Sequence, residues 1–230
     1  MSSHVTPQFL LEGALYALEQ CGHLLRDAKI LFEKGSYANA VVLGAFAREE
    51  VGRSKILMEV RKDAIAGEKY TAERVERRCK DHLSKQKRGM CGTTLRRSDD
   101  TDLAKYLEVA RRTNGQGSEF LEANRKIDQK VVQIQIDLPK DRQRSRERAQ
   151  YVGPLSPTVW NRPWQTATQS SAQEFLTDVC NDYNYQYRRF DTTDERSTLK
   201  YLDSDLFGAL VALVGRPDLP NPSEFYVWPV

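Results

Sequence analysis

His82 lies in a strongly basic segment, ERVERRCKDHLSKQKR, which runs from residue 73 to residue 88. On a single helix, Arg78 lies one turn before this histidine, Arg77 lies five residues before it and Lys85 three residues after it. Guanidinium and ammonium groups bind phosphate oxygens, and an imidazole transfers protons near neutral pH. The segment therefore predicts a site that binds a phosphodiester and moves a proton. A solvated basic helix with one surface histidine is the alternative that gives the same pattern.

These groups suffice for cutting RNA without a metal ion. The RNA 2′-hydroxyl attacks the adjacent phosphorus, a histidine moves a proton, and a guanidinium stabilises the charge on the phosphorane. The residues for other chemistries are missing: the sequence has no HExxH motif, P-loop, dinucleotide fingerprint or nucleophile elbow. Its four cysteines form no CxxC pair, which favours reduced thiols in the cytoplasm. We therefore expect neither a metal ion nor a cofactor.

Glu49 falls on the apolar face of a predicted second helix. The other members of that face are small or apolar: Ala38, Val42, Ala45, Gly52 and Ile56. Because a buried carboxylate needs a partner, Arg53, one turn further on, is the obvious choice, and Glu50 lies three residues before that arginine. Two interpretations fit this pattern: a structural ion pair between helices, or the polar wall of an active-site cleft.

A second basic block runs from Lys140 to Arg148. At helical spacing Arg142 and Arg146 share one face, and Arg144 shares another with Arg148. Such faces can follow a nucleic-acid backbone, or they can form a solvated or inter-subunit surface. Three aromatic residues follow the block, and they could either stack on bases or pin a loop to the core: Tyr151, Trp160 and Trp164.

The elements that must position these residues are predicted to be helices. An apolar seam from Leu11 to Phe32 predicts a first helix that begins at Thr6-Pro7 and ends at Gly35, and Ser36 is placed to cap the second. The short connection forces these two helices antiparallel. A third helix is predicted from Thr71 to Arg88-Gly89, so that it carries the whole basic segment around His82.

The remaining chain also reads as helices and loops. A polar loop covers residues 92–100, and helices are predicted around Leu103–Ala110, from Ser118 to an interruption at Leu138-Pro139, over Gln165–Phe190 and over Leu202–Val214. The stretch from Tyr151 to Trp164 is predicted to be an extended, proline-rich and aromatic loop, and no strand is predicted. The fold class is therefore all-α, a helical bundle built on an antiparallel hairpin with additional C-terminal helices.

Composition limits the partners. Hydrophobic residues make up 40% of the chain and charged residues 29%, which is typical of a globular protein, and a net charge of +3 gives no overall attraction to nucleic acid. There is no apolar run of bilayer length and no secretion signal, so we expect a cytoplasmic protein without a membrane partner.

Several segments resemble the abortive-infection V (AbiV) type of HEPN domain. They are the end of the first helix (RDAxxLFxxG, residues 26–35), YANA at residues 37–40, AREEVGR at residues 47–53, Asp81-His82 with Lys85, Tyr151-Val152-Gly153, and Trp160 with Pro163. Their order and spacing cover most of residues 9 to 165. The resemblance implies a HEPN-like bundle over residues 1–150, with residues 151–230 packing on the same domain.

The resemblance also implies a function. It implies a bacterial, cytoplasmic anti-phage protein that acts on RNA as a homodimer, with a phage-encoded protein as a candidate activator. The family's R-x4-6-H motif maps onto Arg77 and His82 as catalytic residues. Its polar second-helix positions map onto Glu49 and Glu50 as supporting residues, and Arg53, with Arg78 and Lys85, would bind RNA. Active members usually have Asn, Asp or His directly after the motif arginine, whereas this chain has Arg78 there. A non-catalytic module that senses a phage protein or neutralises a toxin is therefore the alternative. A purely structural helical adaptor is a third.

Overall fold

The computed structural model describes residues 4–90, 101–113 and 117–190. The predicted polar loop at residues 92–100, the helix predicted at Leu202–Val214 and the tail after it lie outside these ranges. The described chain is almost entirely helical, which confirms the all-α prediction. Among the described residues, no helix is both long enough and apolar enough to cross a membrane.

Two long helices form the predicted antiparallel hairpin. Helix α1 spans Pro7–Glu33, and its first turn is capped by the Thr6 hydroxyl, which accepts from the Phe9 N–H at 3.1 Å. Gly35 adopts a φ of 75°, which favours glycine, and helix α2 then spans Tyr37–Ile65. The apolar faces of both helices are buried against each other, as the seam predicts.

Ser36 occupies the N-cap position of α2, but its hydroxyl makes no capping bond to the backbone. Instead it accepts a hydrogen bond from the Asn39 side-chain amide at 3.0 Å. The predicted side-chain cap at Ser36 is therefore wrong, because a neighbouring amide takes the place of the backbone donor.

The single third helix predicted from Thr71 to Gly89 is wrong, because the segment forms two short helices. Helix α3 spans Ala72–Cys79 and helix α4 spans His82–Gly89. Asp81 starts the second of them: its carboxylate accepts from the Ser84 N–H at 2.9 Å. A short acidic side chain competes in this way with the continuing helix and favours a new N-terminus. Arg77 and His82 consequently lie on different helices.

The predicted interruption at Leu138-Pro139 is also wrong. After helix α5, Thr101–Arg112, the long helix α6 runs from Gly117 to Gln150 with Pro139 inside it. A proline inside a helix removes one backbone hydrogen bond and costs about 3 kcal/mol. Both Leu138 and Pro139 are buried, and burial of this part of the helix offsets that cost.

The segment predicted to be an extended loop contains a small β-hairpin. Strand β1, Gly153–Ser156, pairs antiparallel with strand β2, Val159–Asn161. The chain then forms a single turn of helix, α7, Pro163–Thr166, followed by helix α8, Gln169–Phe190. The apolar face of α8, which includes Phe175 and Val179, belongs to the same core cluster as the α1–α2 hairpin. The prediction that the segment contains no strand is therefore wrong for this hairpin.

Helices α2 and α4 approach so closely that only glycine fits between them. A Cβ added to Gly52 would lie 1.9 Å from the carbonyl oxygen of Lys85, and one added to Gly89 would lie 2.7 Å from that of Arg48. These distances are far below van der Waals contact. The two glycines therefore set the separation of α2 and α4, and with it the position of every side chain that crosses between them.

We expect Gly52→Ala to destabilise the protein by about 2 kcal/mol or more, since the new methyl group must push the α4 backbone away. Gly13→Ala is the matched control, because its Cβ would make ordinary contact, 3.4 Å from a Leu57 methyl carbon. That variant should gain about 0.5–1 kcal/mol from helix propensity. Urea unfolding of the two variants measures the difference. Equal stabilities would show that the α2–α4 separation is not fixed by Gly52.

Three cysteines of the described chain are buried as free thiols: Cys21, Cys79 and Cys180. Burial raises the pKa of the Cys180 thiol to about 12, and it raises the pKa of Cys21 well above its ordinary value. Since the thiolate is the reactive form, we expect both to resist alkylation by iodoacetamide at pH 8 in the native protein and to react fully in guanidinium. Mass spectrometry of tryptic peptides checks this, and native labelling of Cys180 would contradict the buried placement.

Candidate functional site

Glu49 lies at the centre of a cluster of basic side chains. The residue is only 3% exposed, as its place on the apolar face predicts. One carboxylate oxygen contacts His82 Nδ1 at 2.6 Å and Lys85 Nζ at 3.1 Å, and the other accepts from Arg146 Nη1 at 3.0 Å. The prediction that Arg53 is the partner of Glu49 is therefore wrong. The carboxylate instead joins three elements: α2, α4 and α6.

The contact with Glu49 fixes the tautomer of His82. A carboxylate can only accept hydrogen bonds, so Nδ1 carries the hydrogen, and in the neutral ring Nε2 is left with a lone pair. The His82 side chain is 58% exposed, whereas that of Lys85 is 5% exposed. The imidazole is thus oriented by a buried group on one side and open to a ligand on the other.

His82 borders an open surface pocket of about 540 Å³. The other charged side chains that line it are three basic residues, Lys80, Lys140 and Arg144, and one acidic residue, Asp81. Arg144 is paired with exposed Asp141 at 3.4 Å, an interaction that contributes little in water. The pocket therefore offers cationic groups beside an oriented imidazole, an arrangement suited to a phosphate.

Local structure explains why these side chains meet. Asp81 begins α4 at His82, and His82 and Lys85 are three residues apart, so they share one face of that helix. The glycine contacts of Gly52 and Gly89 hold this face directly against α2, where Glu49 lies one turn before Gly52. The site thus depends on a capping residue and a pair of glycines as much as on its charged groups.

A second buried ionic layer lies behind the site. Arg48 donates to Asp182 at 2.9 Å, and Arg142 pairs with Asp178 and, at 3.3 Å, with Glu174. Both guanidinium groups lie over the Phe175 ring, at 4.9 and 5.3 Å from its centroid. Each pair connects α8 to another helix, so this layer stabilises the fold that carries the site.

The second basic block divides as its helical spacing predicts. Arg142 and Arg146 both face inward, whereas Arg144 and Arg148 are exposed. Carboxylates bind both arginines of the inward pair. The interpretations that this pair follows a nucleic-acid backbone, or that it forms a solvated surface, are therefore wrong. Sequence reasoning did not assign Arg146 to the site, because nothing local connects it to a carboxylate 97 residues away.

Two of the predicted site residues, Arg77 and Arg78, make no contact with Glu49. Arg77 is 74% exposed and donates to Glu73 at 3.0 Å. Arg78 donates to the hydroxyl of buried Tyr70 at 3.2 Å and lies 3.4 Å from Asp63. Both belong to α3, which the break before Asp81 separates from the helix of His82.

Arg53 lies 3.3 Å from Glu50 and 3.9 Å from Glu76. Burial raises the pKa of the Glu50 carboxyl, and the neighbouring Arg53 opposes that shift. The contact of Arg53 with Glu76 connects α2 to α3. Arg53 and Glu50 lie on the same helix as Glu49 but make their own ionic contacts. Of the predicted site residues, the structure therefore brings together Glu49, His82 and Lys85.

The hairpin after α6 is anchored by one buried amide. Asn161 donates from Nδ2 to the carbonyl oxygens of Arg148 and Tyr151, at 2.7 and 2.6 Å, and its Oδ1 accepts from the Thr166 hydroxyl at 2.9 Å. The three aromatic side chains of this segment are exposed: Tyr151, Trp160 and Trp164. They therefore do not pin the segment to the core.

In the part of the chain that the structure describes, no group of three or more His, Cys, Asp or Glu side chains is placed to hold a metal ion.

Comparison with known proteins agrees with the resemblance in the sequence. No curated protein and no solved structure matches the chain. A family model of HEPN domains, described as AbiV, matches residues 9–180, which is well over half of the sequence and contains the whole Glu49–His82 site. The chain belongs to the AbiV family of HEPN domains, and this membership associates it with abortive-infection defence.

Proposed function

We propose that this protein is a metal-independent endoribonuclease that cuts cellular or phage RNA during phage infection. The observation that carries the proposal is the orientation of His82 by buried Glu49 at the edge of a basic, open pocket. A carboxylate that accepts from one imidazole nitrogen prepares the other to take a proton. The surrounding cations supply the attraction for a phosphodiester.

The reaction proceeds by internal transfer. His82 Nε2 takes the proton of the RNA 2′-hydroxyl, the 2′-oxygen forms a bond to the adjacent phosphorus, and the bond from phosphorus to the 5′-oxygen breaks. The leaving 5′-oxygen takes up a proton from a protonated His82 of the partner subunit. The products are a 2′,3′-cyclic phosphate, which water can open to a 3′-phosphate, and a 5′-hydroxyl.

The basic side chains have two roles in this proposal. Lys80, Lys140 and Arg144 line the pocket and hold phosphate oxygens of the bound strand. Lys85 and Arg146 are largely buried, and they balance the charge of Glu49 and keep its carboxylate in place. Lys85 is thus proposed as a positioning residue rather than as the RNA-binding residue that the sequence suggests.

Arg77 enters the proposal through a homodimer. Its ion pair with Glu73 is exposed and therefore worth about 0–1 kcal/mol, so the guanidinium can leave it for a phosphate. In the proposed dimer the two basic motifs face each other, and Arg77 stabilises the charge that develops on the phosphorane. A phage-encoded protein remains our candidate for the activating partner, and the cytoplasm for the location.

The end chemistry of the products tests the proposal. Wild-type protein incubated with RNA in EDTA should leave cyclic phosphate or 3′-phosphate ends together with 5′-hydroxyl ends. A mechanism in which a metal-bound water attacks phosphorus leaves 5′-phosphate ends in many nucleases and requires the metal. Fragments with 5′-phosphates, or cleavage that EDTA stops, would therefore refute the proposal.

The placement of Arg77 favours a second candidate function, a non-catalytic interaction module. Arg77 contacts Glu73 rather than the His82 site. The β1–β2 hairpin also exposes several apolar side chains that could bind a protein. In that case His82→Ala and Arg77→Ala would both leave protection against phage intact, while substitutions in residues 151–164 would remove it. A plaque assay with the three sets of variants separates the two functions.

A further inference from the structure

A second open pocket continues from the His82 pocket along helix α6. It measures about 440 Å³, and its lining includes Arg144, Arg148, Tyr151, Pro154 and Leu155. Arg144 lines both pockets, so the two are neighbours on one surface. A ligand that occupies the His82 pocket can therefore extend into the second pocket without leaving the protein.

The cationic groups along this surface follow a helical face. Lys140, Arg144 and Arg148 are spaced four residues apart on α6 and are all exposed. At a rise of about 1.5 Å per residue, they extend over about 12 Å. The acidic residue of the second pocket, Glu147, accepts from the Gln143 amide at 2.9 Å. Three cations thus stand beside two carboxylates, Glu147 and Asp141, so the face has a net positive charge.

The far end of the second pocket is suited to a flat, apolar group. Tyr151 is 57% exposed, and it stands beside the proline and leucine of strand β1. An exposed aromatic ring beside cationic groups stacks on nucleic-acid bases, and every base has a face that can stack. In a duplex the bases already stack on each other and pair, so only a single strand can place a base here.

Asn161 holds this aromatic residue in place. Its side-chain amide donates to the carbonyl oxygens of Arg148 and Tyr151, and these bonds connect strand β2 to the end of α6. Because Asn161 is buried and donates both bonds, the backbone of Tyr151 is held in place relative to that of Arg148 before any ligand arrives.

We propose that Tyr151, Arg144 and Arg148 form a subsite that binds single-stranded RNA adjacent to the His82 pocket. Tyr151 stacks on a base, and the two arginines hold the phosphates between that base and the bond that is cut. The subsite makes an unpaired strand the preferred substrate class. The inference rests on the proposed ribonuclease function for the cutting step but not for the binding itself.

The test measures binding separately from cleavage. The full-length protein is titrated into a fluorescent oligonucleotide of 2′-O-methyl RNA, in which the blocked 2′-oxygen cannot attack phosphorus. Tyr151→Ala should weaken binding roughly 5- to 150-fold at constant salt, since one stacked base is lost. Tyr151→Phe keeps the ring and should bind like wild type. Tyr151→Leu keeps an apolar side chain without a ring and should bind as weakly as Tyr151→Ala.

Two controls make the result specific. Tyr16 is another exposed tyrosine, on α1, and Tyr16→Ala should leave binding unchanged. Binding to a blunt duplex of the same sequence should be weaker than to the single strand and insensitive to Tyr151→Ala. Arg148→Ala should reduce the slope of log K against log salt by about 0.7, the value for one single-strand phosphate contact.

Unchanged single-strand binding by Tyr151→Ala, or an equal loss with the duplex, would overturn the subsite even if the wild type cuts RNA. If the wild type cuts no RNA but the tyrosine variants lose single-strand binding as expected, the subsite stands and the ribonuclease function fails. Binding of a protein rather than of any nucleic acid at this surface would overturn the inference as well.

Discussion

His82→Ala should lower the rate of RNA cleavage by about 10²- to 10⁴-fold, the usual contribution of a positioned general acid or base. The physical reason is that Glu49 prepares Nε2 of this imidazole to take a proton, and no other histidine of the described chain contacts a buried carboxylate. Single-turnover cleavage of a labelled RNA measures the rate directly, without a contribution from product release.

The variant should remain folded, because the His82 side chain is more than half exposed and Glu49 keeps its contacts with Lys85 and Arg146. His23→Ala is the matched control: His23 is an exposed histidine on α1 that contacts Glu19 at 4.0 Å. Cleavage by this control should equal that of wild type. An unimpaired His82→Ala enzyme would remove the imidazole from the mechanism.

Glu49→Gln should destabilise the protein by about 3–5 kcal/mol, the cost of breaking a buried ion pair by removing one partner. The amide keeps the shape of the carboxylate but leaves the buried Lys85 ammonium beside a neutral group. Cleavage should fall as well, since the amide cannot fix the His82 tautomer as the carboxylate does. Urea unfolding gives the stability, and cleavage is assayed at denaturant concentrations where the variant is still folded.

Two further variants test the cause of this loss. Glu19→Gln removes a surface carboxylate and should change stability by no more than about 0.5 kcal/mol. In Glu49→Gln/Lys85→Met the buried ammonium is gone, so the double variant should regain part of the lost stability. A double variant less stable than Glu49→Gln would show that Lys85 contributes by packing rather than by charge.

Together, these variants separate the contribution of Glu49 to stability from its orientation of His82. His82→Ala should remove chemistry with little change in stability, whereas Glu49→Gln should remove both. The difference arises because Glu49 is buried between two cations from two other helices, Lys85 and Arg146, while His82 contacts it from the solvent side. A protein in which the cluster were only structural would lose stability with Glu49→Gln and nothing with His82→Ala.

The sequence by itself determined the helical hairpin and the burial of Glu49. Both follow from a repeat of apolar residues every three or four positions, because that repeat places one face of each helix in the core whatever the partner is. The same regularity placed Arg142 and Arg146 on one face of α6.

Only the tertiary structure decided which groups meet. Arg53 lies one helical turn after Glu49, yet it pairs with Glu50, and Glu49 contacts groups 33, 36 and 97 residues away. A helical repeat reports which side of a helix is buried, but not what faces it. The same is true of the break at Asp81 and of the continuous helix through Pro139. Local helix propensities amount to only a few kcal/mol, so the packing of the surrounding elements determines whether a helix ends or continues.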